Sequence, residues 1–298
     1  MNRSPTDAMK TGATRDTLDP VTTEERSVIT DIGGKRYRIA SDDTYLNHID
    51  GNFEPDMVAL FDTLVESGHC VLDVGANIGC TSILFADRAR HVYCFEPSPT
   101  TFQYLKQNIE SAALPNITPV NLGLGRAGGT YELTYASDNR SGAFVSNHIQ
   151  ASAGHRVEQI RIVPGDDFVQ AQGIARVDIV KIDVEGFEKD VIEGLGRTIA
   201  RDQPVVALEL NHWCLNAFQR ISVPDFFDFL RGIFPYLYAV DKDDVRDLHD
   251  VNQAYHVMYH HIVRNFSYPT IVGAFHKRQL LRLSQAYGID IPDRAVAH

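Results

Sequence analysis

No stretch of this chain approaches the ~20 consecutive apolar residues that a membrane-spanning helix needs. No basic-then-apolar leader opens it either, so the expectation is a cytoplasmic protein. Cysteine is scarce. The four residues Cys70, Cys80, Cys94 and Cys214 form no C-x-x-C pair, and the first three fall in or beside expected core strands. They read as reduced, buried thiols. Positive charge is also short, with 28 Lys and Arg against 39 Asp and Glu, for a formal net charge of −11. Phosphate binding needs a basic footprint, so this balance argues against a nucleic-acid substrate, although a local basic patch stays open. Internal repeats are missing, and no low-complexity block follows the first 27 residues. What remains is ordinary globular usage, 44% hydrophobic and 22% charged, enough for one large domain or two.

What is present is organised around Cys70-Val-Leu-Asp73-Val-Gly75-Ala-Asn77-Ile-Gly79. Val71, Leu72 and Val74 make an apolar run without helical spacing, as in a strand buried on both faces of a parallel sheet. Gly75 and Gly79 bracket a tight turn that lets backbone approach a ligand, and helical spacing follows from Thr81 to Ala86. Strand, glycine turn and helix open a nucleotide-binding α/β half. The dinucleotide fingerprint is not met, because Asn77 and Ile78 fill the place of its middle glycine. A second apolar strand, His91 to Phe95, ends in Glu96 and Pro97, roughly twenty residues from the turn, where a ribose-binding acid belongs. A carboxylate can accept hydrogen bonds from both ribose hydroxyls, although an acid before proline can also serve only the turn.

With these blocks in view, the chain resembles class I S-adenosylmethionine-dependent methyltransferases, and among them the FkbM family. The resemblance rests on Val71-Leu-Asp-Val-Gly-Ala-Asn-Ile-Gly79, Phe95-Glu-Pro-Ser-Pro99, Asn108 and Val180-Lys-Ile-Asp-Val-Glu-Gly-Phe-Glu188, and runs from about Val28 to about His276. It implies S-adenosylmethionine as cofactor and a hydroxyl oxygen of a sugar, polyketide or other small metabolite as acceptor. It implies a cofactor site formed by Asp73, Gly75, Asn77, Gly79, Glu96, Pro97 and Asp183, with Asn121 and Leu122 where related enzymes cradle the adenine. Glu54 stands at a position that family members often fill with Glu.

In chain order, residues 1–27 are polar and read as a disordered tail, and 28–298 as the methyltransferase domain. Within that domain, 28–67 should hold a hairpin about Gly33-Gly34 and an amphipathic helix over 55–66, and 68–276 the Rossmann-like core. Further core strands are expected at Ile117–Val120, Val177–Asp183, Val205–Leu210, Tyr236–Val240 and Thr270–Phe275, with helix and loop over 244–267. Residues 128–163 read as an antiparallel insertion whose polar loop, Ser137 to Gly142, either reaches the substrate or is a surface hairpin loop. The expected fold is a doubly wound, mostly parallel sheet of about seven strands, helices on both faces.

Ligands of such sheets sit beyond the carboxyl ends of the strands, where Asp183, Glu185, Glu209 and His212 gather. Lys181 and Asp183 share a strand face and can simply pair, and Glu188 suits a helix start. Among the candidates for proton removal, His212 is preferred because imidazole titrates near working pH, with Asp183 or Glu209 orienting the ring. The alternative is a divalent cation held by Asp183, Glu209 and His212, or by two of them. His256 and His260 lack the Glu of H-E-x-x-H and are not read as ligands. Two rival functions differ in kind. A nicotinamide oxidoreductase needs the missing glycine, and a non-catalytic nucleoside-binding partner protein would not need Asp183 and His212. Oligomeric state leaves no mark on the sequence.

Overall fold

The computed structural model describes residues 25–294 apart from 147, 150, 152, 153 and 265. The expected polar tail lies outside the described residues as far as residue 24. The hairpin begins two residues earlier than expected and pairs Arg26–Ile32 with Lys35–Ser41, Ile32 opposite Lys35. Asn108 fastens it to the core: its side chain bridges both backbone groups of Ala40 (2.8 and 3.1 Å) and donates to the Ile78 carbonyl at 2.9 Å. Pro55–Leu64 is the amphipathic helix.

The main sheet has eight strands. Their spatial order is Asp244–Asp247, Tyr236–Asp241, Thr270–Ala274, Val205–Glu209, Ile179–Ile182, Cys70–Val74, His91–Phe95 and Ile117–Val120. The last five run parallel, and the first three are antiparallel to their neighbours. The parallel strands are the ones that read as mainly apolar runs; every residue of Cys70–Val74 and Ile179–Ile182 is buried, Asp73 and Lys181 included. Two large apolar clusters cover opposite faces of the sheet. Asp244–Asp247 was not expected as a strand. It is a short, charged edge strand, the form that blunts a sheet margin and leaves no apolar pattern to read. The helix of that segment is confined to Val251–Val263.

The chain crosses from Cys70–Val74 to His91–Phe95 on one side, and Ile179–Ile182 returns on the other. The order of the sheet therefore reverses beside Cys70–Val74, and a crevice opens there beyond the strand ends. The insertion forms its own four-stranded sheet, ordered Gly123–Gly125, His155–Pro164, Gly129–Ala136 and Asn139–Phe144, antiparallel except for its first pair. It stands as one wall of that crevice. Among the described residues, no helix is long and apolar enough to cross a membrane.

Candidate active site

The glycine turn forms because backbone, not side chain, fills its centre. Gly75 has φ +81°, and a Cβ there would lie 1.8 Å from the Asp183 carbonyl oxygen, so only glycine fits. The N–H groups of Gly75 and Ala76 both donate to the Phe95 carbonyl, at 3.0 and 2.9 Å. Asn77, with φ 51°, turns its N–H to Glu96 Oε2 at 3.1 Å, and Ser98 N–H donates to Oε1 at 2.9 Å. Burial pushes the Glu96 carboxyl up to about 7, against the pull of those two donors. Two donors leave lone pairs on both oxygens for the hydroxyls of a ribose.

These residues line a cleft closed on its far side by apolar groups, among them Leu124, Ile162 and Phe187. Gly75, Asn77, Glu96, Pro97, Asp183 and Glu185 all face it. Four other residues expected at the cofactor do not. Asp73 is fully buried behind the turn, where its Oδ2 accepts from Ser82 Oγ at 2.6 Å. Gly79 packs against Leu105. Asn121 donates to the Glu96 and Pro97 carbonyls at 2.9 and 3.1 Å, and so props the turn from outside. Leu122 packs on the apolar cluster, and Gly123 and Leu124 take the lining position instead. The insertion's polar loop belongs to the wall: Arg140 and Ser141 face the cleft from the strand Asn139–Phe144. Arg140 is itself held by Asp42 and Asp43.

Lys181 is the pivot beneath the turn. Its Nζ lies 2.9 Å from the Gly75 carbonyl, 3.3 Å from Asp73 Oδ1 and 3.4 Å from Asp183 Oδ2. Burial alone would lower the lysine's pKa, but the charges of Asp183 and Asp73 carry it above the ordinary lysine range.

Asp183, Glu185 and Glu209 each offer an oxygen within 4.8 Å of the others. Glu185 Oε2 accepts from Asn211 Nδ2 at 3.1 Å and from Cys214 Sγ at 3.0 Å, and burial followed by the charge of Asp183 pushes it up to about 7. Glu209 is driven well above the usual carboxylate range, first by burial and then by the charges of Asp183 and Glu185. Its Oε2 is buried with no hydrogen-bond partner. Like charges this close disfavour the ionised form of Glu209. Glu188 starts a helix and is fully buried, its Oε1 accepting from the N–H groups of Gly186 and Val184.

His212 does not join this group. Asn211 caps the following helix through Cys214 N–H at 3.1 Å, which makes His212 the first helical residue. Its ring packs on His261 and Phe266, with centroids 5.0 and 4.8 Å away. It lines neither cleft, its Nδ1 is buried without a partner, and burial lowers its pKa. No carboxylate orients the ring, contrary to expectation. The cation-holding trio also changes, with Glu185 in place of His212.

A second cleft, about 350 Å³, meets the first at Asp183. One wall is the start of the helix Pro55–Leu64 with Glu54. The other carries Glu209, Val240, Asp241, Pro269 and Tyr287. Glu54 sits at φ 29°, a strained conformation for a side-chain-bearing residue, and burial raises its carboxyl. Asp56, Asp241, Lys242 and Tyr287 in this cleft carry no motif that would single them out.

Comparison with known proteins places the chain. The family model described as Methyltransferase FkbM domain matches residues 73–246. Hexuronic acid methyltransferase AglP of Haloferax volcanii is 28% identical over 195 residues, 63% of this chain and 72% of that protein. Methyltransferase 1 of Beauveria bassiana is 28% identical over 143 residues, and the match spans 57% of its length. Methyltransferase FkbM from Methylobacillus flagellatus, a solved structure, is 18% identical with a TM-score of 0.38, covering 56% of this chain and 37% of that one.

Proposed function

The chain belongs to the FkbM methyltransferase family, and on that premise we propose that it moves the methyl group of S-adenosylmethionine to a hydroxyl oxygen of a sugar-like small molecule. The observation that carries this reading is the meeting of two clefts at Asp183, one with a ribose-type carboxylate and the other with the half-buried carboxylates Asp183 and Glu209. Glu96 takes the ribose hydroxyls, the Gly75 turn admits the amino-acid portion, and Leu124 and Ile162 flank the adenine. When bound, S-adenosylmethionine supplies an electrophilic methyl on sulfur. The chain's part is to align the acceptor oxygen with that methyl and to remove its proton. Alignment can supply ~7–11 kcal/mol and a general base a further ~10²–10⁴-fold.

Glu209 is the base in this arrangement, with Asp183 as the partner that keeps its carboxyl basic. A carboxylate whose pKa is raised is a better base than an ordinary one. Asp183, Glu185 and Glu209 would be the ligands of a divalent cation, but the Lys181 ammonium already stands at Asp183, so direct proton removal is favoured. A sugar acceptor is in keeping with the hexuronic acid methyltransferase relative. Release of S-adenosylhomocysteine in step with methylation of a glycoside hydroxyl tests the reading. Binding of NAD in place of S-adenosylmethionine, or turnover abolished by EDTA and restored by Mg²⁺, would overturn its cofactor or its metal-free base.

A further inference from the structure

The acceptor cleft is unbalanced in charge. Glu54, Asp56, Asp183, Glu209 and Asp241 line it, against Lys181 and Lys242. Lys181 is shared between Asp73 and Asp183, 3.3 and 3.4 Å away, so its single charge leaves one of those two acids unmatched. Leaving Glu54 and Glu209 out of the count, Asp56, Asp183 and Asp241 still outweigh Lys242. Among the described residues no arginine lines this cleft, so they offer it no forked donor of the kind that grips a carboxylate or phosphate. Glu209, which lines the same space, also keeps an unpartnered acceptor, its buried Oε2.

We infer that the unit methylated in this cleft is a polyhydroxylated ring bearing no carboxylate or phosphate, either a neutral sugar or an amino sugar. This rests on the sugar reading above and narrows it. It also separates the chain from the relative named for hexuronic acid, whose substrate carries the charge that this cleft repels. A cleft lined by one sign of charge changes local ligand concentration and encounter rate by ~10–10³-fold, in the disfavoured direction for a like-charged ligand.

The test compares three methyl glycosides differing in one substituent: a neutral hexoside, its 2-amino analogue and its uronic acid. Each is offered with S-adenosylmethionine to the full chain, and kcat/KM is read from S-adenosylhomocysteine release. The expected result is that the uronic acid is worse by about tenfold or more, and that added salt narrows the gap. The double variant Asp56→Asn/Asp241→Asn should narrow it severalfold while S-adenosylmethionine affinity stays at the wild-type level. A preference for the uronic acid, or a gap unmoved by the double variant, would overturn the inference and leave the sugar reading standing. Turnover of none of the three, with S-adenosylmethionine bound, would overturn the sugar reading itself and the inference with it.

Discussion

Replacing Lys181 with methionine probes the pivot under the cofactor turn. Methionine keeps the apolar stem and removes the ammonium, which holds the Gly75 carbonyl, Asp73 and Asp183 within 3.4 Å. Asp73 would be left fully buried with Ser82 as its remaining donor, and its Oδ1 makes no hydrogen bond even now. Removing one partner of a buried ion pair costs about 3–5 kcal/mol, mostly because the other charge is stranded. In a domain of this size each kcal/mol moves Tm by ~2–4 °C, so the variant should melt about 6–20 °C lower. Adding Asp73→Asn removes the stranded charge and should recover at least half of that loss. The pH course is also defined. A lysine whose pKa is raised on folding contributes in full below its unfolded value and is lost only as pH rises through its folded value, so the difference should be flat from neutral to mildly alkaline pH. Thermal and urea unfolding followed by circular dichroism measure all of this. A single variant within about 1 kcal/mol of wild type, or a double variant no better than the single, would refute the role given to Lys181.

Glu96→Ala should weaken S-adenosylmethionine binding by about 1.5–3 kcal/mol in calorimetry, the scale of hydrogen bonds to a charged group; unchanged affinity would place the ribose elsewhere. Glu209→Gln should lower kcat by ~10²-fold or more with cofactor affinity near wild type, whereas His212→Ala should retain most activity. The opposite ranking in a steady-state assay would restore the histidine as base. Glu188 is pushed up to about 7 by burial from an ordinary 4.5, so the folded state holds a proton that the unfolded state releases. Its contribution therefore becomes less favourable as pH rises from 4.5 through 7, and Glu188→Gln should gain in Tm over wild type across that range. A Tm difference that stays constant or shrinks would contradict the assignment.

The core of the fold was legible because parallel strands are largely apolar on both faces, as Val71, Leu72, Ile179, Val180 and Ile182 are, and such runs need no context to be read. Asp244–Asp247 carries charge at an edge and gives no such sign. The pairing of Lys181 with Asp183 followed from two-residue alternation, and Glu209 was placed by the same rule. That rule stops where the strand stops. It could not tell that Asn211 would cap a helix and turn His212 toward His261. Asn121 and Leu122 follow a strand whose end, Val120, the sequence marks, yet neither lines the cleft, because Asn121 turns back to the Glu96 and Pro97 carbonyls and Gly123 and Leu124 face it. The partners of Arg140, Asp42 and Asp43, lie nearly a hundred residues away, and no local pattern announces such a contact.

The two clefts draw on the chain in different ways. Every residue lining the cofactor cleft falls between Val74 and Phe187, inside the matched stretch 73–246. The acceptor cleft borrows one wall from Glu54–Phe61, ahead of that stretch, and another from Pro269, Thr270 and Tyr287, beyond it. On the proposed reading, a change in either flank alters the acceptor cleft and leaves the residues of the cofactor cleft in place. The flanks can drift, lengthen or be exchanged for others, and each change alters which molecule is admitted without touching the chemistry done to it. Such a chain is a fixed engine with replaceable jaws, and knowledge of the engine alone does not identify what the jaws hold.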